Sequence, residues 1–244
     1  VQVVLFSKIT AVMGIHITTK IPQKYKWQIW TVGALHNLRY LLESIRVQTY
    51  VLYSVFFMAS FILIVSMNKF SLHKLMNSYH HPFFDWFFKY STHLGDGAVF
   101  GVLVLVFLFI NRKMALVFLT SGVLTLLITH LLKKVIFYGI ARPLGAMSGE
   151  ELHVVQGVKM AFWHSFPSGH TTTAFAVFTI LCLYFRKCKS QYVWLALAMI
   201  AGLSRVYLSQ HFLLDVFVGS FIGCCIAFMS MSFFFNPKPT ASVH

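Results

Sequence analysis

Ala98–Ile110 reads AVFGVLVLVFLFI, the polar triplet Asn111-Arg112-Lys113 follows, and Met114–Leu132 continues as MALVFLTSGVLTLLITHLL. Crossing the hydrocarbon of a bilayer takes roughly 20 apolar residues. The stretch therefore predicts two membrane helices joined by a short basic turn, the first of them short enough to borrow flanking residues such as Gly95–Gly97. Four more apolar runs repeat the pattern, near Tyr50–Met67, Thr171–Phe185, Tyr192–Leu203 and Phe212–Phe235. The expected fold is all-α, a polytopic bundle of about six transmembrane helices. Around it the sequence divides into a basic cytoplasmic or interfacial leader at 1–48, a membrane domain at 49–235 and a polar tail at 236–244. Within the leader, an amphipathic helix is expected near His36–Arg46.

The composition agrees with that division. The 244 residues are 58% hydrophobic and only 11% charged, with a mean hydropathy of +0.73. That is too little charge to wet the surface of a soluble domain. Lys+Arg number 20 against six Asp+Glu. The cations lie between apolar spans and form no aromatic-interleaved patch, so nucleic acid is not the expected partner. Anionic lipid surfaces and a phosphate-receiving site account for them better. Cys182, Cys188, Cys224 and Cys225 have no metal-ligand spacing and read as small residues packed in the apolar runs or beside a basic loop.

Basic clusters set the orientation. Arg112-Lys113, Arg186-Lys187 with Lys189, and Lys238 alternate with the spans, so both termini and two short loops are placed in the cytoplasm. The segments Asn68–Gly97, Lys133–His170 and Ser204–His211 then emerge on the other side. The first holds His80-His81-Pro82-Phe83-Phe84-Asp85-Trp86-Phe87-Phe88, whose aromatics suit a helix lying at the headgroup layer. Lys133, Lys134, Arg142, Lys159 and Arg205 also fall outside, against the usual bias. Something there needs positive charge.

Three outer segments carry chemistry. In Lys133-Lys134 to Arg142-Pro143, the proline biases Arg142 to an extended backbone, and its guanidinium offers a planar fork to phosphate oxygens. In Trp163 to Thr171, Ser168 is a candidate helix cap, Gly169 admits a ligand close to the backbone, and His170 sits in the first turn, where a helix N-terminus attracts anions. In Ser204 to Asp215, His211 and Asp215 are four apart and would share a helix face. A carboxylate on one ring nitrogen fixes the tautomer and leaves the other lone pair aimed outward. Cations, a helix N-terminus, two histidines and a carboxylate are the parts of phosphoryl transfer through a covalent intermediate.

These segments resemble the signatures of the type 2 phosphatidic acid phosphatase superfamily, integral-membrane lipid phosphate phosphatases related to vanadium haloperoxidases. Pro167-Ser168-Gly169-His170 matches the second signature, and Ser204-Arg205, His211 and Asp215 match the third in residue and spacing. The first departs: the family has six residues between Lys and Arg-Pro, whereas seven separate Lys134 from Arg142. The resemblance implies that His211 attacks phosphorus, Asp215 orients it and His170 protonates the leaving oxygen. It further implies that Lys134, Arg142, Ser168, Gly169 and Arg205 hold the phosphate oxygens. Because Arg205 is off the His211 face of a continuous helix, a bend is expected between them.

No metal and no cofactor are implied. The expected substrate is a membrane lipid phosphate or diphosphate, of the polyprenyl diphosphate or lipid A type, with phosphatidate or phosphatidylglycerol phosphate as alternatives. The expected location is a bacterial inner membrane, with the site at the non-cytoplasmic membrane edge, facing the periplasm or exterior. A catalytically altered lipid-binding protein of the same fold is a second class. A transporter is a third, but transporters hold their ionisable groups near mid-membrane on broken helices.

Overall fold

The computed structural model describes residues 39–148 and 152–235, and these are helical or irregular throughout, with no strand among them. Most of the leader, the tail and the acidic pair Glu150-Glu151 lie outside the described residues. Of the helix expected near His36–Arg46, residues 39–44 are described and are helical.

Beyond residue 46, nine α-helices are found among the described residues: α1 Val47–Ser66, α2 Lys69–Ser78, α3 Pro82–Ser91, α4 Ala98–Ile110, α5 Arg112–Leu131, the short α6 Pro143–Ala146, α7 Gly169–Tyr184, α8 Gln191–Tyr207 and α9 Leu213–Phe234. Local chemistry fixes their starts. The Asn68 side chain accepts from Phe70 N and that of Asn111 from Lys113 N and Met114 N, while His81 caps α3 ahead of Pro82. Each cap satisfies an N–H group that the first turn leaves unpaired.

Six of these helices stand where the apolar runs predicted them, with ends displaced by a few residues. The six are not equivalent as spans. α1, the run Arg112–Ile136 and α9 are each long and apolar enough to cross a membrane. The helix expected as the second span has 13 residues, about 20 Å at 1.5 Å per residue. It does not lengthen through Gly95–Gly97: a bend of 57° separates Pro82–Gly95 from it.

α7 is the central helix. Every residue from Thr171 to Leu183 is buried, against α9, α8 and α5. The approach of α9 is close: a Cβ on Gly219 would stand 2.7 Å from Ser168 O, and one on Gly223 would stand 2.5 Å from Thr172 O. Small residues let membrane helices meet at backbone distance, and here they bring the start of α9 to the start of α7. At the opposite end of α7, Arg46 donates from its backbone to Gln191 Oε1 and from its side chain to Lys187 O. The end of the leader and the α7–α8 loop, both expected in the cytoplasm, therefore share one end of the bundle. The three chemistry-bearing segments share the other.

Candidate active site

The third segment does turn where a bend was expected. α8 ends at Tyr207, Ser209 takes a positive φ of 53°, and the N–H groups of Gln210 and His211 both donate to Arg205 O, at 3.0 and 3.1 Å. Underneath, Ser209 Oγ is held by His73 Nε2 at 3.2 Å and Asn77 Nδ2 at 3.1 Å. Burial pushes the His73 ring down to about 4, so it serves as a neutral prop.

α9 begins only at Leu213, so His211 and Asp215 meet by a route other than a shared helix face. Asp215 sits in the first turn and reaches back. Its Oδ2 lies 3.3 Å from His211 Nδ1 and accepts from Phe212 N at 3.1 Å and from Ser165 Oγ. His211 is 1% exposed. Burial first, then the charges of Arg142, Lys133 and Arg205, hold its proton affinity well below the ordinary imidazole value. With Nδ1 turned to the carboxylate, Nε2 is left with a free lone pair.

The cations arrive from three directions. Arg142 has the extended backbone expected before Pro143, φ −78° and ψ 168°. Its Nε donates to Trp163 O at 3.0 Å and its Nη1 to Gln210 Oε1 at 3.0 Å. Arg205 Nη2 reaches the same Gln210 oxygen at 3.4 Å, and Nη1 donates to Thr92 Oγ1 at 2.7 Å. Arg205 Nε is buried and has no hydrogen-bond partner among the described residues. Gln210 thus holds two guanidinium groups side by side.

The third cation corrects the sequence expectation. Lys134 is exposed, and the ammonium that enters the site belongs to Lys133, whose Nζ lies 3.9 Å from where a Gly169 Cβ would stand. Leu132–Ile136 form a π-turn. A π-turn takes up an extra residue within a helix, and this one stands at the two lysines, where the spacing to Arg142 is longer than in the family signature: seven residues separate Lys134 from Arg142 and eight separate Lys133 from it.

At the head of α7, Ser168 is the N-cap, its side chain accepting from Thr171 N, and its own N–H donates to Asp215 O at 3.0 Å. Gly169 and His170 make the first turn. His170 Nε2 contacts Asp96 Oδ1 at 2.8 Å. Nearby, His81 caps α3 and His80 stacks on His153 with ring centroids 4.1 Å apart.

This is the arrangement of a known family, and the PAP2 superfamily profile matches residues 113–239. The chain belongs to the PAP2 superfamily. With its apolar helices, that makes it an integral membrane protein. Among curated proteins it is similar to the bacitracin transport permease protein BcrC of Bacillus licheniformis, 37% identical over 60 residues. That match spans 25% of this chain and 29% of the relative's length. Among solved structures it is similar to Aquifex aeolicus LpxE, with TM-score 0.58 and 29% identity over 66% of this chain and 93% of the other. A transmembrane PAP2-type phosphatidylglycerolphosphate phosphatase from Bacillus subtilis shares the fold, with TM-score 0.57 and 21% identity over 80% of this chain and 98% of that one.

Beside the PAP2 signatures, an apolar groove of about 720 Å³ runs from Gly169 and His170 down between α4 and α5, past Phe100, Leu105, Leu119 and Leu126. Four residues of the site were not legible in the sequence: Ser165, Gln210, Thr92 and Asp96. Ser165 and Gln210 lie inside the chemistry-bearing segments, but nothing in their type distinguished them. Thr92 and Asp96 lie in a segment read only for its aromatics.

Proposed function

We propose that this protein is a membrane phosphatase that removes phosphate from a lipid phosphate or diphosphate through a phosphohistidine. The observation that carries the reading is His211: buried, tied by Nδ1 to Asp215, and facing three cations, one with an unpaired buried N–H. A buried positive cluster of this kind is unfavourable unless an anion answers it, and arginine forks fit phosphate oxygens. His211 Nε2 attacks phosphorus as the bond to the lipid oxygen breaks, and His170 gives that oxygen its proton. Water then attacks phosphorus, the P–N bond breaks, and the proton from water returns to His170. Lys133, Arg142, Arg205 and the N–H groups at the head of α7 take up the charge on the non-bridging oxygens.

The groove supports a lipid substrate. It is apolar, opens between two helices and ends at His170, so a chain lying in it would bring its headgroup to the acid. A polyprenyl diphosphate or lipid A type substrate, in a bacterial inner membrane with the site facing outward, is the reading we favour. The BcrC relative is named a transport permease, which makes transport the competing reading; here the ionisable groups gather at one end of the helices, away from mid-span.

Purified protein in detergent should release phosphate from at least one of undecaprenyl diphosphate, lipid A, phosphatidate and phosphatidylglycerol phosphate. His211→Ala and His170→Ala should abolish that release, vanadate should inhibit it, and EDTA should not. Full activity in either variant would remove the role assigned to that histidine. Vectorial movement of the lipid without phosphate release would favour transport.

A further inference from the structure

The turn at residues 92–96 lies outside the residues matched to the PAP2 superfamily, yet it touches both halves of the site. Thr92 Oγ1 accepts from Arg205 Nη1 at 2.7 Å. Asp96 contacts His170 Nε2 through Oδ1 at 2.8 Å and His93 Nδ1 through Oδ2 at 2.7 Å. Between them, a Cβ on Gly95 would stand 2.6 Å from His170 O. Only glycine lets the turn press against the α7 backbone this closely, and the pressure aims Asp96 at the ring.

We propose that Asp96 is the positioning residue of the general acid, so that the site contains two His–carboxylate pairs, one for each chemical role. The inference rests on the reading of His170 as the acid. Its surroundings explain why a partner is needed. His170 is faced by Lys133 from the π-turn, Arg205 from α8, His211 from the α8–α9 turn, and Asp96 from residues 92–96. Burial first, and then the cations that attract phosphate, press the proton off the imidazole. Asp96 opposes them by accepting Nε2–H, which leaves Nδ1–H to be delivered to the departing oxygen. His93, on the outer side, fixes the second carboxylate oxygen.

A general acid matters in proportion to how badly the leaving group needs a proton. The test therefore compares two substrates: a long-chain alkyl monophosphate, whose alkoxide leaves poorly, and p-nitrophenyl phosphate, whose phenolate leaves without help. For Asp96→Asn, kcat on the alkyl phosphate should fall about 10-fold or more with KM within about twofold, while kcat on the aryl phosphate changes by less than about threefold. Without the carboxylate the ring gives up its proton at lower pH, so the alkaline limb of the alkyl-phosphate profile should move down by about one pH unit. Asp96→Glu should recover part of the loss, and His93→Gln should produce a smaller shift in the same direction. Equal losses on both substrates would make Asp96 structural and overturn the proposal, as would no loss on either. Wild-type protein inert toward both substrates would overturn the phosphatase reading, and the inference with it.

Discussion

The two His–carboxylate pairs of this site differ in almost everything but composition. In His211–Asp215 the side chains are 1% and 5% exposed, and in His170–Asp96 they are 37% and 36% exposed. The first joins residues four apart, and its carboxylate is held by two further donors, Ser165 and Phe212 N. The second joins residues 74 apart and depends on a backbone contact at Gly95. Burial suits a nucleophile, which must be neutral and must keep one orientation. Partial exposure suits an acid, which must lose and regain a proton in each cycle. One pair is built by a local turn and the other by packing between distant segments, so each should fail in its own way.

The largest effect is expected in the buried pair. Asp215→Asn keeps the shape but removes the charge that fixes the His211 tautomer, and phosphate release should fall by about 10³–10⁴-fold, as in other nucleophile–histidine–carboxylate systems. Single-turnover assays on the alkyl phosphate should place the loss in formation of the phosphoenzyme. A smaller loss than that of Asp96→Asn would reverse the assigned roles. Next comes Gly95→Ala, which leaves every titratable group in place. Its new methyl must push the 92–96 turn off His170 O, loosening both Asp96–His170 and Thr92–Arg205. Displacements near 1 Å can cost about 100-fold, and a loss of that order is expected in kcat. Wild-type rates in this variant would show that the turn does not govern the acid.

A third comparison sets Lys133 against Lys134. Lys133→Ala should raise KM and lower kcat/KM by about 10-fold, as loss of one partly buried phosphate contact does. Lys134→Ala should lose clearly less, because its side chain is exposed. Steady-state kinetics on one lipid phosphate decides it, and equal losses would argue against the register that the π-turn creates.

These variants mark the border of what the sequence reveals. Apolar runs located six helices, because a lipid-facing helix needs little beyond length and hydropathy. They could not show that α4 falls short: Asp96 and Gly97 read as flanking residues, and the chain bends there. His211, Asp215, Arg142 and Ser168 stood out as candidates because each lies within a few residues of a proline, a helix start or an i,i+4 partner, whereas Arg205 entered only through the family resemblance. Lys133 was hidden because counting residues assumes α-geometry, and Leu132–Ile136 are π. Asp96 and Gln210 were hidden for a different reason. Asp96 meets His170, and Gln210 meets Arg142, from other segments, and no local pattern announces a contact made only when the helices pack.

The smallest expected effect is thermodynamic, and it separates the pairs again. His211 is held well below the ordinary imidazole value by burial and neighbouring cations, so the folded protein keeps it neutral at pH values where the unfolded chain takes up a proton. The unfolded state then binds more protons, and stability is full above about pH 6.5 and falls below it. One such group contributes a slope of at most about 1.4 kcal/mol per pH unit. His73, pushed down to about 4, adds a loss of the same sign, so the wild-type curve alone cannot be assigned. Thermal melts of wild type and His211→Gln in detergent from pH 7.5 to 5 isolate the difference: the variant should lose Tm less steeply as the pH drops. Parallel slopes would mean that His211 takes up its proton at the ordinary imidazole value in the folded protein, and the claim that its surroundings hold it neutral would fall.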